Sequence, residues 1–193
     1  NVKIKRYNQA FKYFGKAYLI NKKTVNKILM VYNLNNIASA YYDQKNYTKA
    51  LLYSTRSEVL NQSMFDSNGL AYNYTQIGKI YADKKEYSKS IIYLKRALNN
   101  YDQGQTYNIG STYIEIGITY QKMALLNPEN KKQLLIEAAE NLEKAIRLFT
   151  EIDVIDKLSI SYFELYKVKK EQGKYEDALK YFEKHNIIKD SLF

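Results

Sequence analysis

The chain has 193 residues, of which 46% are hydrophobic and 26% charged. This excludes a disordered chain and allows a sizeable core in one domain or one array of repeats. The absence of Cys excludes disulfides and thiolate chemistry and leaves oxidising and reducing compartments both open. No apolar run approaches the ~18 residues of a membrane helix. A chain that starts at Asn1 without a secretory signal pattern is expected to be a piece of a longer protein.

The net charge of +10 is concentrated at the N-terminal end. No acidic residue precedes Asp43, whereas eight basic residues do: Lys3, Lys5, Arg6, Lys12, Lys16, Lys22, Lys23 and Lys27. A basic end can attract acidic partners, phosphate or an anionic membrane surface. We interpret it as a solvated lysine face of the first helices and do not expect a nucleic-acid partner.

Only seven Gly and one Pro interrupt the chain, which favours long helices over a many-stranded sheet. A small residue returns along the chain at Ala10, Ala50, Ser90, Ala138 and Ala178. The residues four positions later are Phe14, Ser54, Leu94, Leu142 and Phe182, and those seven positions later are Ala17, Ser57, Ala97, Ala145 and His185. Because these three positions lie on one helical face, we predict a packing stripe on five successive helices.

A second pattern precedes each of the later stripes. Leu34-x-x-Ile37-Ala38-x-x-Tyr41 returns as Tyr74-x-x-Ile77-Gly78-x-x-Tyr81 and Tyr113-x-x-Ile116-Gly117-x-x-Tyr120, with Tyr162-x-x-Leu165-Tyr166-x-x-Lys169 as a degraded copy. A Gly inside a helix costs about 1 kcal/mol relative to Ala. We therefore predict that Gly78 and Gly117 are selected for close helix packing.

These residues resemble the tetratricopeptide repeat, a helix-turn-helix unit with the same order of apolar, Leu-Gly, aromatic and Ala positions. The resemblance covers nearly the whole chain and implies an all-α fold, a right-handed superhelix of about 4.5 repeats. The small residues set the period of this chain, because Ala10, Ala50, Ser90, Ala138 and Ala178 are 40, 40, 48 and 40 residues apart. The usual unit has about 34 residues. We expect the extra length in the polar segments 60–68 and 99–106.

In chain order, the sequence predicts one array with a leading half repeat and four full repeats. The half repeat covers 5–20, and the full repeats cover 26–60, 68–100, 106–149 and 153–188. The third full repeat contains an insertion at 121–133. Within it, Asn127-Pro128 predicts a turn after a helix that extends through Leu126.

The sequence offers little chemistry for catalysis. His185 is the only histidine and lies on the packing stripe, so we predict a packing role. Glu137, Glu140 and Glu143 recur every third residue, which indicates a solvated, salt-bridged helix face. No metal-ligand, catalytic-triad or phosphate-loop pattern is present. We predict a non-enzyme without a cofactor or a metal.

The first helices of successive repeats are expected to line a concave surface that binds a protein or an extended peptide. Their exposed face is predicted to carry the candidate site, although an ordinary polar face without a ligand remains open. The candidate residues are Tyr32, Asn35, Ser39, Tyr42, Asp43, Tyr72, Thr75, Lys79, Asp83, Ser111, Ile114, Ile118, Lys122, Phe163, Lys167 and Lys170.

The repeat period and the closing run from Tyr175 to Phe193 resemble the tetratricopeptide sensor regions of bacterial membrane-bound signalling proteins, which precede a histidine-kinase or helix-turn-helix output module. This resemblance implies a periplasmic or extracytoplasmic sensing domain, with a membrane span expected downstream. Two alternatives stay open: the peptide-binding domain of a cytoplasmic quorum-sensing regulator, and a purely structural assembly scaffold.

Overall fold

The computed structural model describes residues 2–191, and side chains from Arg6 to Asp190. Within this part of the chain the structure consists of helices and short turns. The α-helices are α1 (Val2–Lys23), α2 (Lys27–Asp43), α3 (Tyr47–Met64), α4 (Ser67–Asp83), α5 (Tyr87–Asn100), α6 (Thr106–Leu126), α7 (Lys131–Glu151), α8 (Ile155–Glu171) and α9 (Tyr175–Ser191), with a 3₁₀ turn at Pro128–Asn130. Each helix packs against its neighbours in the chain. The prediction of an all-α repeat solenoid is confirmed.

Most connections between helices are short and repeat one geometry. A residue with positive φ stands in the turn at Val25, Lys45, Phe65, Lys85, Asp153 and Gly173. After α2, for example, the Lys45 N–H donates to Tyr42 O and the Asn46 N–H donates to Tyr41 O. Paired bonds of this kind satisfy the last carbonyls of a helix and end it sharply.

The helix starts are fixed by side chains at equivalent positions. Asn26, Asn46 and Asp66 each accept a hydrogen bond from the backbone N–H three residues later, at 3.0, 3.2 and 2.9 Å. Such caps contribute about 1 kcal/mol each. The long repeat therefore consists mainly of helices of 17 or 18 residues joined by short turns.

The extra length expected in segment 60–68 is helix rather than turn. Helix α3 continues to Met64, and α4 begins at Ser67. Only the second segment contains a longer connection, because α5 ends at Asn100 and α6 begins at Thr106. The extra residues mostly lengthen the helices, whose amphipathic faces remain covered by neighbours.

The packing stripe is buried where both partner helices are present. Its three positions in α3, α5 and α7 are all at most 1% exposed. Gly78 faces this stripe, and a Cβ atom built there would lie 2.7 Å from Leu94 Cγ. At Gly117 the same atom would lie 2.6 Å from Leu142 Cγ. The close approach predicted from the two glycines is present.

The insertion forms helix rather than loop. Residues 121–126 complete α6, and α7 begins at Lys131, seven residues before Ala138. Helices α3, α5 and α9 begin only three residues before Ala50, Ser90 and Ala178. The predicted turn at Asn127-Pro128 lies between the two long helices.

The two ends of the array differ from its middle. Ala10, Phe14 and Ala17 of α1 are only half-buried, since no first helix covers them in the described chain. The basic side chains described before Asp43 are all exposed, as the interpretation of a solvated face requires, while those of Lys3 and Lys5 lie outside the described side chains. Leu192 and Phe193 of the closing run lie outside the described residues.

Candidate functional site

A cavity of about 290 Å³ lies where α4, α6 and α8 meet. Its walls combine aromatic, aliphatic and polar side chains from three successive first helices and one connection. The lining residues are Tyr72, Thr75, Gln76, Lys79, Tyr101, Tyr107, Asn108, Ser111, Ile114, Glu115, Ile118, Lys157 and Ile160. We call this space the groove cavity.

The structure brings six of the sixteen predicted site residues together around the groove cavity: Tyr72, Thr75, Lys79, Ser111, Ile114 and Ile118. Three others, Asn35, Ser39 and Tyr42, line a smaller cleft between α2 and α4, which also contains Gln76. Tyr32 and Asp43 are exposed and line neither space. The predicted face therefore divides into a main cavity, a minor cleft and peripheral residues.

Two of the six are not exposed, and the prediction that they belong to the exposed face is wrong. Thr75 is 7% exposed and Ile114 is 5% exposed. The Thr75 hydroxyl donates to Ala71 O at 3.1 Å and lies 3.0 Å from Thr112 Oγ1. A short hydroxyl fits between α4 and α6, so Thr75 joins the two helices and Ile114 forms part of the cavity floor.

Phe163, Lys167 and Lys170 on α8 lie outside the groove cavity. The Phe163 ring contacts the His185 ring of α9 in a tilted arrangement at a centroid distance of 4.9 Å, so it contributes to packing between these helices. His185 Nδ1 lies 2.8 Å from Ser159 Oγ, as expected for a histidine with a packing role. Lys167 pairs with Glu164, and Lys170 is exposed.

Polar side chains connect successive first helices along the same face. The Tyr42 hydroxyl donates to Asp83 Oδ2 at 2.6 Å, and Lys122 Nζ lies 3.5 Å from Asp83 Oδ1. Lys79 Nζ lies 3.2 Å from Glu115 Oε1. Burial and the hydrogen bond to the Asp83 carboxylate raise the pKa of Tyr42 above its usual value. These residues join α2, α4 and α6.

The sequence pattern missed several lining residues that it could have found. Gln76 and Glu115 occupy equivalent places directly before Ile77 and Ile116. Each lies three or four residues from a predicted site residue on its own helix, Gln76 from Tyr72 and Lys79 and Glu115 from Ser111 and Ile118, so the same helical spacing predicts it. Tyr107, four residues before Ser111, belongs to the same stripe of α6, whereas Tyr101 could not be found in this way because it lies in the α5–α6 connection.

Polar groups without internal partners remain in the groove cavity. The Ser111 hydroxyl is buried and has no hydrogen-bond partner, and among the described residues none bonds to the Gln76 amide. Lys157 Nζ lies 5.6 Å from the centre of the Tyr107 ring. The cavity therefore offers apolar walls for a side chain and free groups for a peptide backbone.

The described residues contain no group of three or more His, Asp or Glu side chains placed to hold a metal ion. In the same part of the chain, every helix is too short or too polar to cross a membrane. Of the three glutamates recurring along α7, Glu143 accepts from Lys169 of α8 at 3.0 Å, Glu137 accepts from Gln133 within α7, and Glu140 is exposed.

A family model for the tetratricopeptide repeat matches residues 71–103, which comprise most of α4, all of α5 and the first part of the connection after it. No curated protein matches the sequence.

Several solved structures share the fold. BtubC (BKLC) from P. vanneervenii is 15% identical over 97% of this chain and 74% of that chain, with a TM-score of 0.82. MamA is 20% identical over 96% of this chain and 90% of that chain, with a TM-score of 0.64. The tetratricopeptide-like repeats of a putative kinesin light chain from Podosopora anserina are 12% identical over 96% and 88%, with a TM-score of 0.68. Together with the family match over 71–103, these structures support a tetratricopeptide-like repeat fold.

Proposed function

We propose that the chain is a non-catalytic interaction domain that binds an extended peptide segment of another protein across α4, α6 and α8. The observation that carries the proposal is the groove cavity, which lies on the first helices of three successive repeats. Repeat proteins generally use such extended surfaces to bind protein partners. No reactive group is needed for this function.

The composition of the groove cavity indicates what the peptide contributes. A volume of about 290 Å³ lies at the lower end of the usual range for ligand pockets, about 300 to 1,000 Å³. It suits one large apolar side chain between Tyr72, Ile118 and Ile160. The Ser111 hydroxyl and the Gln76 amide supply hydrogen bonds to the peptide backbone beside that side chain.

A peptide selected from a randomised library against the whole chain tests this proposal. The expected peptides share a large apolar or aromatic residue. Ile160→Asp, at a position 42% exposed in the cavity wall, should weaken their binding at least about tenfold, or about 1.4 kcal/mol. Ile92→Asp is the matched control, because Ile92 is 53% exposed on α5 and lies outside the cavity. Equal binding of both variants by calorimetry would place the interface elsewhere.

The interaction domain is further proposed to be the extracytoplasmic sensor part of a bacterial signalling protein. This rests on the sequence resemblance of the 40-residue period and the closing run to such sensor regions. In spheroplasts expressing the full-length protein, added protease should then digest this segment while the inner membrane is intact. Protection of the segment would contradict an external location and favour the cytoplasmic quorum-sensing alternative.

A structural scaffold is the second candidate function. The polar bonds from Tyr42 to Asp83 and from Lys79 to Glu115 favour it, because they fix neighbouring first helices in one arrangement. A sensor should change its hydrogen-exchange pattern beyond the groove when a selected peptide binds. A scaffold should show protection confined to the groove.

A further inference from the structure

A second cavity, of about 470 Å³, lies at the edge of the array where α7 begins and α8 ends. It shares no lining residue with the groove cavity. Its lining residues are Pro128, Lys131, Lys132, Leu135, Ile136, Glu171, Gln172 and Lys174. Because α7 starts about one turn earlier relative to its anchor than α3, α5 and α9 do, the insertion in this repeat creates the space. We call it the edge cavity.

Three lysines at the edge cavity have no internal anionic partner. The ion pairs and side-chain hydrogen bonds of the described residues do not involve the ammonium groups of Lys131, Lys132 or Lys174. Glu129 in the preceding 3₁₀ turn is exposed and forms no ion pair with them. Glu171 is the one carboxylate in the lining and forms an ion pair with none of them, so three lysines against one carboxylate leave the lining with a net positive charge.

Two of these lysines stand where helix electrostatics disfavours them. Lys131 and Lys132 open α7, whose first turn contains no acidic residue, and the Asn130 side chain does not cap the helix. The N-terminal end of a helix carries partial positive charge and uncapped N–H groups. Two cations there cost folding energy unless an anion compensates them, so this local conflict indicates a binding role.

The other side of the edge cavity contributes hydrogen-bond acceptors and apolar surface. Gln172 Nε2 donates to Leu135 O at 3.0 Å, which leaves its Oε1 buried without a partner. Glu171 Oε1 accepts from Gln121 at 2.7 Å, and its Oε2 is likewise buried without a partner. Pro128, Leu135 and Ile136 supply the apolar part of the lining. Unpartnered buried acceptors lower the stability of the fold, and a ligand N–H or O–H would remove part of that cost.

We propose that the edge cavity binds a small organic anion that carries an apolar side chain and an N–H or O–H donor next to the anionic group. The lysine ammonium groups and the start of α7 hold the anion. The donor bonds to the Gln172 amide oxygen, and the apolar side chain packs on Leu135 and Ile136. This site is additional to the peptide-binding groove and does not depend on it.

Three probe molecules separate the contributions. N-acetyl-leucine has the anion, the N–H and the apolar side chain, N-acetyl-leucinamide lacks the anion, and 4-methylpentanoate lacks the N–H. By calorimetry on the whole chain, N-acetyl-leucine should bind saturably. The amide should bind at least about tenfold more weakly, and 4-methylpentanoate several-fold more weakly, as loss of a charge-assisted and of a neutral hydrogen bond predicts.

Substitutions locate the binding. The triple variant Lys131→Gln, Lys132→Gln and Lys174→Gln should lose N-acetyl-leucine binding and should unfold at the same or a higher temperature. Lys95→Gln is the control, because Lys95 is an exposed lysine on α5 outside both cavities. Absence of saturable binding, equal affinity for the acid and its amide, or equal loss in the Lys95 control would each overturn the proposal. None of these results bears on the groove.

Discussion

At the scale of single residues, Gly78 and Gly117 determine how closely the two helices of a repeat approach. Both face fully buried leucines, Leu94 and Leu142, whose atoms lie less than 3.0 Å from where a Cβ would be. Gly15 in α1 has no atom within 4 Å of that position. The same residue type is thus required in two helices and merely tolerated in a third.

This contrast gives a matched pair of variants. Gly15→Ala should stabilise the protein by roughly 0.5 to 1 kcal/mol, because Ala is the better helix former. Gly78→Ala has the same intrinsic gain but forces Leu94 or α5 to move, which costs about 1 to 3 kcal/mol. Urea unfolding should therefore show Gly78→Ala to be the less stable variant by about that cost. Equal stabilities would show that the interface between α4 and α5 yields freely.

The bond from Tyr42 to Asp83 predicts a pH effect. Burial and the neighbouring carboxylate raise the pKa of Tyr42 in the folded state, so its contribution to stability is complete below the unfolded pKa of about 10 and is lost as the pH rises through the folded pKa.

Tyr42→Phe should therefore be less stable than the wild type by about 1 kcal/mol at neutral pH. The difference should shrink at alkaline pH, above about pH 10. Denaturant unfolding of both proteins over this range measures it. A difference that stays constant or widens above about pH 10 would contradict the hydrogen bond as the cause.

The sequence correctly predicts which residues are buried where helical spacing alone decides burial. The buried stripe and the glycines facing it follow from helical spacing alone. Helical spacing also placed Thr75 and Ile114 on the exposed face of the first helices, yet both are buried. Their burial comes from contacts between α4 and α6, and these contacts depend on the rotation between successive repeats. Helical spacing within one repeat does not predict the rotation from one repeat to the next.

At the scale of helices, α1 is the least covered member of the array. Its stripe residues Ala10, Phe14 and Ala17 are half-buried, whereas the equivalent residues of α5 are 0% exposed. Fewer covered apolar contacts lower the free energy needed for local opening. In a repeat array this opening does not require the interior repeats to unfold.

Hydrogen exchange should report this difference directly. Amides in the middle of α1, around residues 11–17, should exchange at least about tenfold faster than those in the middle of α5, which corresponds to about 1.4 kcal/mol. Comparing helix centres removes the effect of fraying ends. Equal protection of the two helices would mean that a single cooperative unit includes α1.

The turns show where prediction of helices fails. Val25, Lys45, Phe65 and Lys85 adopt positive φ, a conformation that favours Gly or Asn. The polar composition of segment 60–68 predicted extra length there but not its form: α3 continues to Met64, and the left-handed Phe65 and the cap at Asp66 form a short turn. Packing of the long helices on both sides selects this geometry over local preference.

At the scale of the whole molecule, the array presents one continuous face made by its first helices. The bonds from α2 to α4 and from α4 to α6 order this face before any partner binds. Preorganisation lowers the entropy cost of binding an extended peptide. The groove cavity is the part of the face with apolar walls and unused hydrogen-bonding groups.

The central claim, that a partner peptide lies in the groove cavity, is tested most directly by photo-cross-linking. A benzophenone amino acid replaces Tyr72, which is 38% exposed in the cavity wall, or Tyr175, which is 69% exposed outside it. With a library-selected peptide, we predict a cross-link from position 72 and none from position 175. A cross-link only from position 175, or none from position 72 with a peptide that still binds, would contradict the account.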